Sequence, residues 1–159
     1  LLLEICKEGG KLSVAYDVFL SAFLLKAKAY NILQNEENLA TQVLDSYMKT
    51  AISRFNSACS YNLLNFNDDI REIEENIEQS DLDEIVDIVS EGMVVCWLQP
   101  FINNSDNLVN ILNTADYTAY SPANLTKANY EIYKESKSEF RKLVKNYTYS
   151  HGDLTELHI

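Results

Sequence analysis

Glycine and proline are nearly absent from this chain, at four and two of 159 residues. Hairpins, sandwiches and barrels consume such turn residues, so an all-β or loop-rich fold is disfavoured and helices are expected. Cysteine is scarce too: Cys6, Cys59 and Cys96 are odd in number, far apart and without a C-x-x-C pair. A disulfide framework needs an even set and zinc needs clustered ligands, so all three are expected to be small buried hydrophobes in a reducing compartment. The two histidines, His151 and His158, fall at the C-terminal end, where no rigid surroundings would hold a catalytic group in place. There is no P-loop, G-x-G-x-x-G, H-E-x-x-H or G-x-S-x-G. These absences point away from an enzyme, and no cofactor is expected.

Acidic residues, by contrast, are plentiful. The net charge is −11, and it is unevenly spread. Residues 1–60 balance six bases against six acids, whereas residues 61–100 hold Arg71 alone against eleven acids between Asp68 and Glu91. Carboxylates could attract a metal, but an EF-hand loop needs a glycine and none lies in that stretch. A di-iron bundle needs E-x-x-H repeats, which are missing as well. A solvated acidic face is expected and no metal. Such a surface does not grip phosphates, although DNA could pass it without adhering.

Hydrophobic residues make up 47% and charged residues 23% of the chain, as in an ordinary globular domain large enough for its own core. The N-terminal "LLLEICKEGGKLS" is only briefly apolar and carries acids, so neither a signal sequence nor a membrane span is expected there. Three N-x-[ST] sequons, at Asn103, Asn124 and Asn146, are read as chance matches in an Asn-rich chain.

Periodicity then sets out the helices. Ser13 is expected to cap a first helix with a broad apolar band from Val14 to Leu33. A second follows "NEEN", with Leu39, Val43–Leu44, Tyr47–Met48, Ala51–Ile52 and Phe55 at i, i+4, i+8 spacing; it is expected to fold back on the first as an αα-hairpin. Residues 56–80 form an acidic connector, with a marginal helix over Ile70, Ile73 and Ile77. Ser80 and Asp83 resemble a capping box for a helix carrying Val89, Met93 and Trp97 into the core. Gly92 inside that helix costs about 1 kcal/mol relative to alanine, which implies a close neighbour. Pro100 is expected to end the helix and Ser105 to cap a short one through Leu112.

Ser121 and Pro122 give the N-cap and first-position signals of a long helix to about Tyr147, roughly 39 Å at 1.5 Å per residue. Leu125, Ile132, Tyr133, Phe140, Leu143, Val144 and Tyr147 share its apolar face. Lys127, Lys134, Arg141 and Lys145 form a stripe opposite, beside Glu131, Glu135 and Glu139. The fold is thus expected to be all-α: a compact bundle of about five helices spanning residues 1–147, ending in a long amphipathic helix. An extended tail, residues 148–159, follows and is expected to be ordered by a partner through Leu154, Leu157 and Ile159.

Residues 84–154 carry a resemblance. A helix with "GMVVCWLQP", a short helix, "TADYTAYSPANLTK", a long charged helix and "YTYSHGDL" follow one another. This succession resembles the head–tail adaptor (neck or connector) proteins of tailed bacteriophages. The resemblance implies a non-catalytic virion protein, assembled in the host cytoplasm and located at the neck between capsid and tail. It implies a dodecameric ring of copies beneath the portal protein, continuing the DNA channel toward a downstream stopper or tail protein. DNA would pass without specific binding, and no membrane is involved. Portal contact is expected from Tyr147, Tyr149, His151, Leu154, Leu157 and Ile159. Contact between copies is expected from Tyr117, Tyr120, Lys127, Lys134, Arg141 and Lys145 on one side, with Asp81 and Glu84 on the other. Val89, Met93, Trp97, Leu125, Ile132 and Phe140 are expected in the core. The alternative is an intracellular helical regulator or chaperone-like module that binds one partner through its tail.

Overall fold

The computed structural model describes residues 13–29, 41–112 and 122–152. Strand β1 (Val14–Ala15) leads directly into α1 (Tyr16–Ala29), and α2 (Thr41–Phe55) ends in a 3₁₀ turn at Asn56–Ala58. Strands β2 (Phe66–Asn67) and β3 (Glu72–Ile73) precede α3 (Gln79–Leu112) and α4 (Pro122–His151). The protein is mostly helical, with four helices among the described residues.

α3 is the central element. Every residue from Ile88 to Leu98 is buried, because α1, α2 and α4 all pack on this helix. A helix apolar on one side only could not be enclosed in this way. α1 brings Tyr16, Phe19, Leu20, Phe23 and Ala27 to it, and α2 brings Leu44, Met48, Ala51, Ile52 and Phe55. Both sets repeat at helical spacing. Val89, Met93, Trp97 and Phe140 lie in this core as expected, and Ile132 is partly buried against it. The side chain of Leu125 is outside the described residues.

Gly92 marks the point of closest packing. A Cβ there would lie 2.9 Å from the Cβ of Ala51 on α2 and 2.9 Å from Cε2 of Phe140 on α4. Three helices therefore meet at one missing methyl group. The close neighbour implied by the sequence is in fact two neighbours.

Several sequence expectations are corrected. The fold is not purely α: two-residue strands form an antiparallel sheet in the order β1-β3-β2, with Val14 and Phe66 both in register with Ile73. The marginal helix over residues 70–77 is replaced by β3, since Ile73 turns into the core at this sheet. Ser13 does not cap α1. It precedes β1 and its hydroxyl bonds the Glu72 carboxylate, while the first amide of α1, from Tyr16, donates to the Arg71 carbonyl (2.9 Å). Ser80 is not an N-cap either, because α3 already begins at Gln79.

Pro100 does not end α3, which continues to Leu112 and takes in the short helix expected after Ser105. Proline removes one backbone donor, at about 3 kcal/mol. Burial of Trp97 and Leu98 before it and Ile102 after it holds the backbone on both sides. The expected cap at Ser121 is outside the described residues, although Pro122 does take the first position of α4.

The geometry at Gly92 gives a signed prediction. Gly92→Ala should destabilise the fold in chemical denaturation, because overpacking costs about 1–3 kcal/mol and outweighs the helix-propensity gain of about 1 kcal/mol. Adding Ala51→Gly should recover part of the loss. A Gly92→Ala protein more stable than the parent would contradict the three-helix contact.

Candidate functional site

α4 runs antiparallel to α3 and is fastened at three levels. Near its start the Tyr133 hydroxyl donates to Gln99 Oε1 (2.7 Å) and accepts from Lys137 Nζ (3.3 Å). In the middle, Phe140 packs at Gly92. At the end, the Tyr147 ring stands edge-on to Phe55 (5.1 Å) and stacks on His151 (4.0 Å). The Tyr147 hydroxyl accepts from the Ser60 amide (3.4 Å) and lies 3.7 Å from Cys59 Sγ. Ser136 Oγ, on the same face, is buried without a partner.

One expected contact residue, Tyr147, is therefore corrected, whereas His151 stays exposed at the end of α4 although it also bonds internally. Tyr147 is fully buried, because its ring fills the space between α2 and the last turn of α4, and it cannot meet a portal. The His151 Nε2 is 3.7 Å from Asp81 Oδ1 and its Nδ1 is 3.1 Å from the Tyr147 carbonyl. The helix runs through His151 and the Gly152 amide donates to the Thr148 carbonyl (2.8 Å). Residues 148–151 thus belong to α4 and not to a tail. Tyr149 is 61% exposed and free to make a contact.

Asp81, expected between copies, is also occupied. It accepts from the Tyr61 hydroxyl (2.7 Å) and from Ser80 Oγ (3.2 Å). The Tyr61 hydrogen bond, ahead of Ser80 and His151, holds the Asp81 carboxyl below its ordinary range, and the same bond pushes the Tyr61 phenol up. Glu84 is half-buried and makes no ion pair among the described residues.

The opposite face of α4 has a different character. Lys127, Lys134, Arg141 and Lys145 are all exposed, and none forms an ion pair among the described residues. Lys134 Nζ lies 5.3 Å from the Tyr130 ring centre, and Lys145 Nζ lies 5.6 Å from that of Tyr149. Tyr130 itself is 46% exposed. Each pair is four residues apart, a spacing legible in the sequence. Lys142 meets Glu139 (3.4 Å) on the same helix. Cations and aromatic rings therefore stand outward on a firmly held helix. Tyr117, Tyr120, Leu154, Leu157 and Ile159 are outside the described residues.

A second polar region runs along α2. Gln42, Asp45, Ser46, Lys49, Thr50 and Ser53, with Asp68 and Arg71, line an open groove of about 650 Å³. Ser46 and Lys49 stand in S-x-x-K spacing. Lys49 directs its ammonium to Asp68 (2.6 and 2.8 Å) and not to Ser46. Arg71 bonds Asp45 (2.9 Å) and Asp17 (3.3 Å), and the Tyr16 hydroxyl donates to Asp68 (2.8 Å). Lys49 above all, then Tyr16, keeps the Asp68 carboxyl low. Burial pushes the Asp45 carboxyl up against the pull of Arg71. The charges of the groove are satisfied by one another, and no nucleophile is bonded to a base. Among the described residues no group of three histidine, cysteine or acidic side chains is placed to hold a metal, and no helix is long and apolar enough to cross a membrane.

Two predictions concern the tyrosines. Tyr147→Ala should cost about 3–5 kcal/mol of stability, as for large buried aromatics, whereas Tyr149→Ala should change it by less than about 0.5 kcal/mol. Equal effects would place both rings in the same environment. The second concerns alkali. Burial raises the phenols of Tyr16 and Tyr147, and the Asp81 bond raises that of Tyr61. Unfolded phenols ionise near pH 10, so above that pH the unfolded chain holds fewer protons than the folded one and stability falls. Tm should decline from about pH 10 upward, and less steeply with all three changed to phenylalanine. An identical decline in that variant would remove these tyrosines from the account.

The chain matches no family model, no curated protein and no solved structure.

Proposed function

We propose that this chain is a structural head–tail adaptor, a non-catalytic subunit of a ring that extends the DNA channel from a phage portal toward the tail. The observation that carries the proposal is the outer face of α4. Lys127, Lys134, Arg141 and Lys145 stand exposed on a helix whose other face is fixed by Tyr133, Phe140 and Tyr147. A rigid helix presenting cations and tyrosines suits protein contact, since tyrosine adds area with a polar tip.

Two of the segments behind the resemblance support this reading, although its separate short helix is continuous with α3. "GMVVCWL" falls in the fully enclosed part of α3, with Gln99 and Pro100 at its edge, and the long charged segment is α4. Portal contact is proposed for Tyr149 and for Leu154, Leu157 and Ile159 in the tail beyond the helix. Contact between copies is proposed for the α4 stripe, with Tyr117 and Tyr120, which precede it in the sequence.

Density-gradient fractionation of a lysate of the source, probed with an antibody to this chain, tests the proposal. The chain should band with DNA-filled particles at a copy number near that of the portal. A chain wholly in the soluble fraction while particles form normally would overturn it.

A further inference from the structure

Six of the eleven acids between Asp68 and Glu91 have side-chain partners inside the subunit. Asp68 is taken by Lys49, Glu72 by Ser13 and Glu74 by Asn67. Asp81 is held by Tyr61 and His151, while Lys26 binds both Asp87 (2.6 Å) and the buried Glu91 (3.1 Å). Of the other five, Asp69 stands exposed in the turn before β3, whereas Glu75, Glu78, Asp83 and Glu84, which have no side-chain partner among the described residues, lie in one short stretch where the chain enters α3. The cations of α4 are the complementary set: Lys127, Lys134, Arg141 and Lys145 are exposed without an ion pair among the described residues.

One subunit cannot join the two sets. The end of α4 does approach the start of α3, at His151 and Asp81, but the stripe is on the face of α4 turned away from α3. Lys127 to Lys145 extend about 27 Å along that face at 1.5 Å per residue. We infer that the α4 stripe of one copy docks on the Glu75–Glu84 stretch of a second copy. This pairing rests on the assembling role proposed above, and it supplies the contact that role requires. Two different surfaces of one subunit meet, so the contact is head-to-tail and propagates into a closed ring or an open filament. Single exposed ion pairs contribute little, so Tyr130 and Tyr149 supply the contact area while the charges set register and salt dependence.

Sedimentation velocity of the full chain tests the pairing by charge reversal. At low ionic strength the parent should self-associate, and it should revert to monomer at about 1 M NaCl, where the screening length is about 3 Å. Lys134→Glu with Arg141→Glu should abolish association, as should Asp83→Lys with Glu84→Lys. Mixing these two variants should restore it, because each then offers the surface the other needs. Restoration also excludes misfolding as the cause of the loss. A parent that stays monomeric at every salt concentration, or a mixture that stays dissociated, overturns the pairing. Either result leaves the particle-banding test of the adaptor role independent.

Discussion

The close approach of α2 and α4 to α3 at Gly92 is the constraint on which the rest of the structure depends. With only 2.9 Å between a Cβ at that position and either neighbour, any larger side chain would push the helices apart. Because Gly92 lets them approach, α3 is enclosed over three turns, and α4 can be pinned along its length by Tyr133, Phe140 and Tyr147. A helix fixed at intervals on one face holds its other face steady. The outward set of cations and tyrosines is thus a consequence of a missing side chain on a different helix.

Electrostatics organises the opposite side of the molecule. Arg71, the one base in residues 61–100, sits in the left-handed region at φ 56°, which costs an ordinary residue roughly 1–2 kcal/mol. Its surroundings explain why it is held there. The carbonyl accepts the first amide of α1, and the guanidinium bonds acids on α1 and α2. One residue joins the small sheet to both helices. Lys26 acts similarly between α1 and α3, although it satisfies only one oxygen of buried Glu91 and leaves Oε1 without a partner.

What could be read from the sequence follows a physical pattern. Signals that repeat within an element were legible: the stripe of α2, the two faces of α4, and the proline at its first position. Gly92 was legible as an anomaly, because glycine within so apolar a helix implies close packing. Signals that depend on distant partners were not. The strands are two residues long, too short for any alternation to register, and they exist because Ile73 pairs with both Val14 and Phe66. Pro100 is a stop signal in local terms, but the burial of Trp97, Leu98 and Ile102 on either side of it carries the helix through. Tyr147 was assigned both to the apolar face and to a terminal contact, and only the packing against Phe55 and His151 decides between them. Asp81 looked like one more surface acid, since nothing local marks Tyr61 as its donor.

α4 thus has an inner face buried in the fold and an outer face of exposed cations and tyrosines, for which a partner is proposed. Hydroxyl-radical footprinting of the free chain and of the chain in assembled particles separates the two directly. Tyr130 and Tyr149 should be reactive in the free chain and protected on assembly, whereas Tyr133 and Tyr147 should be unreactive in both states. Unchanged reactivity of Tyr130 and Tyr149 on assembly would contradict the account.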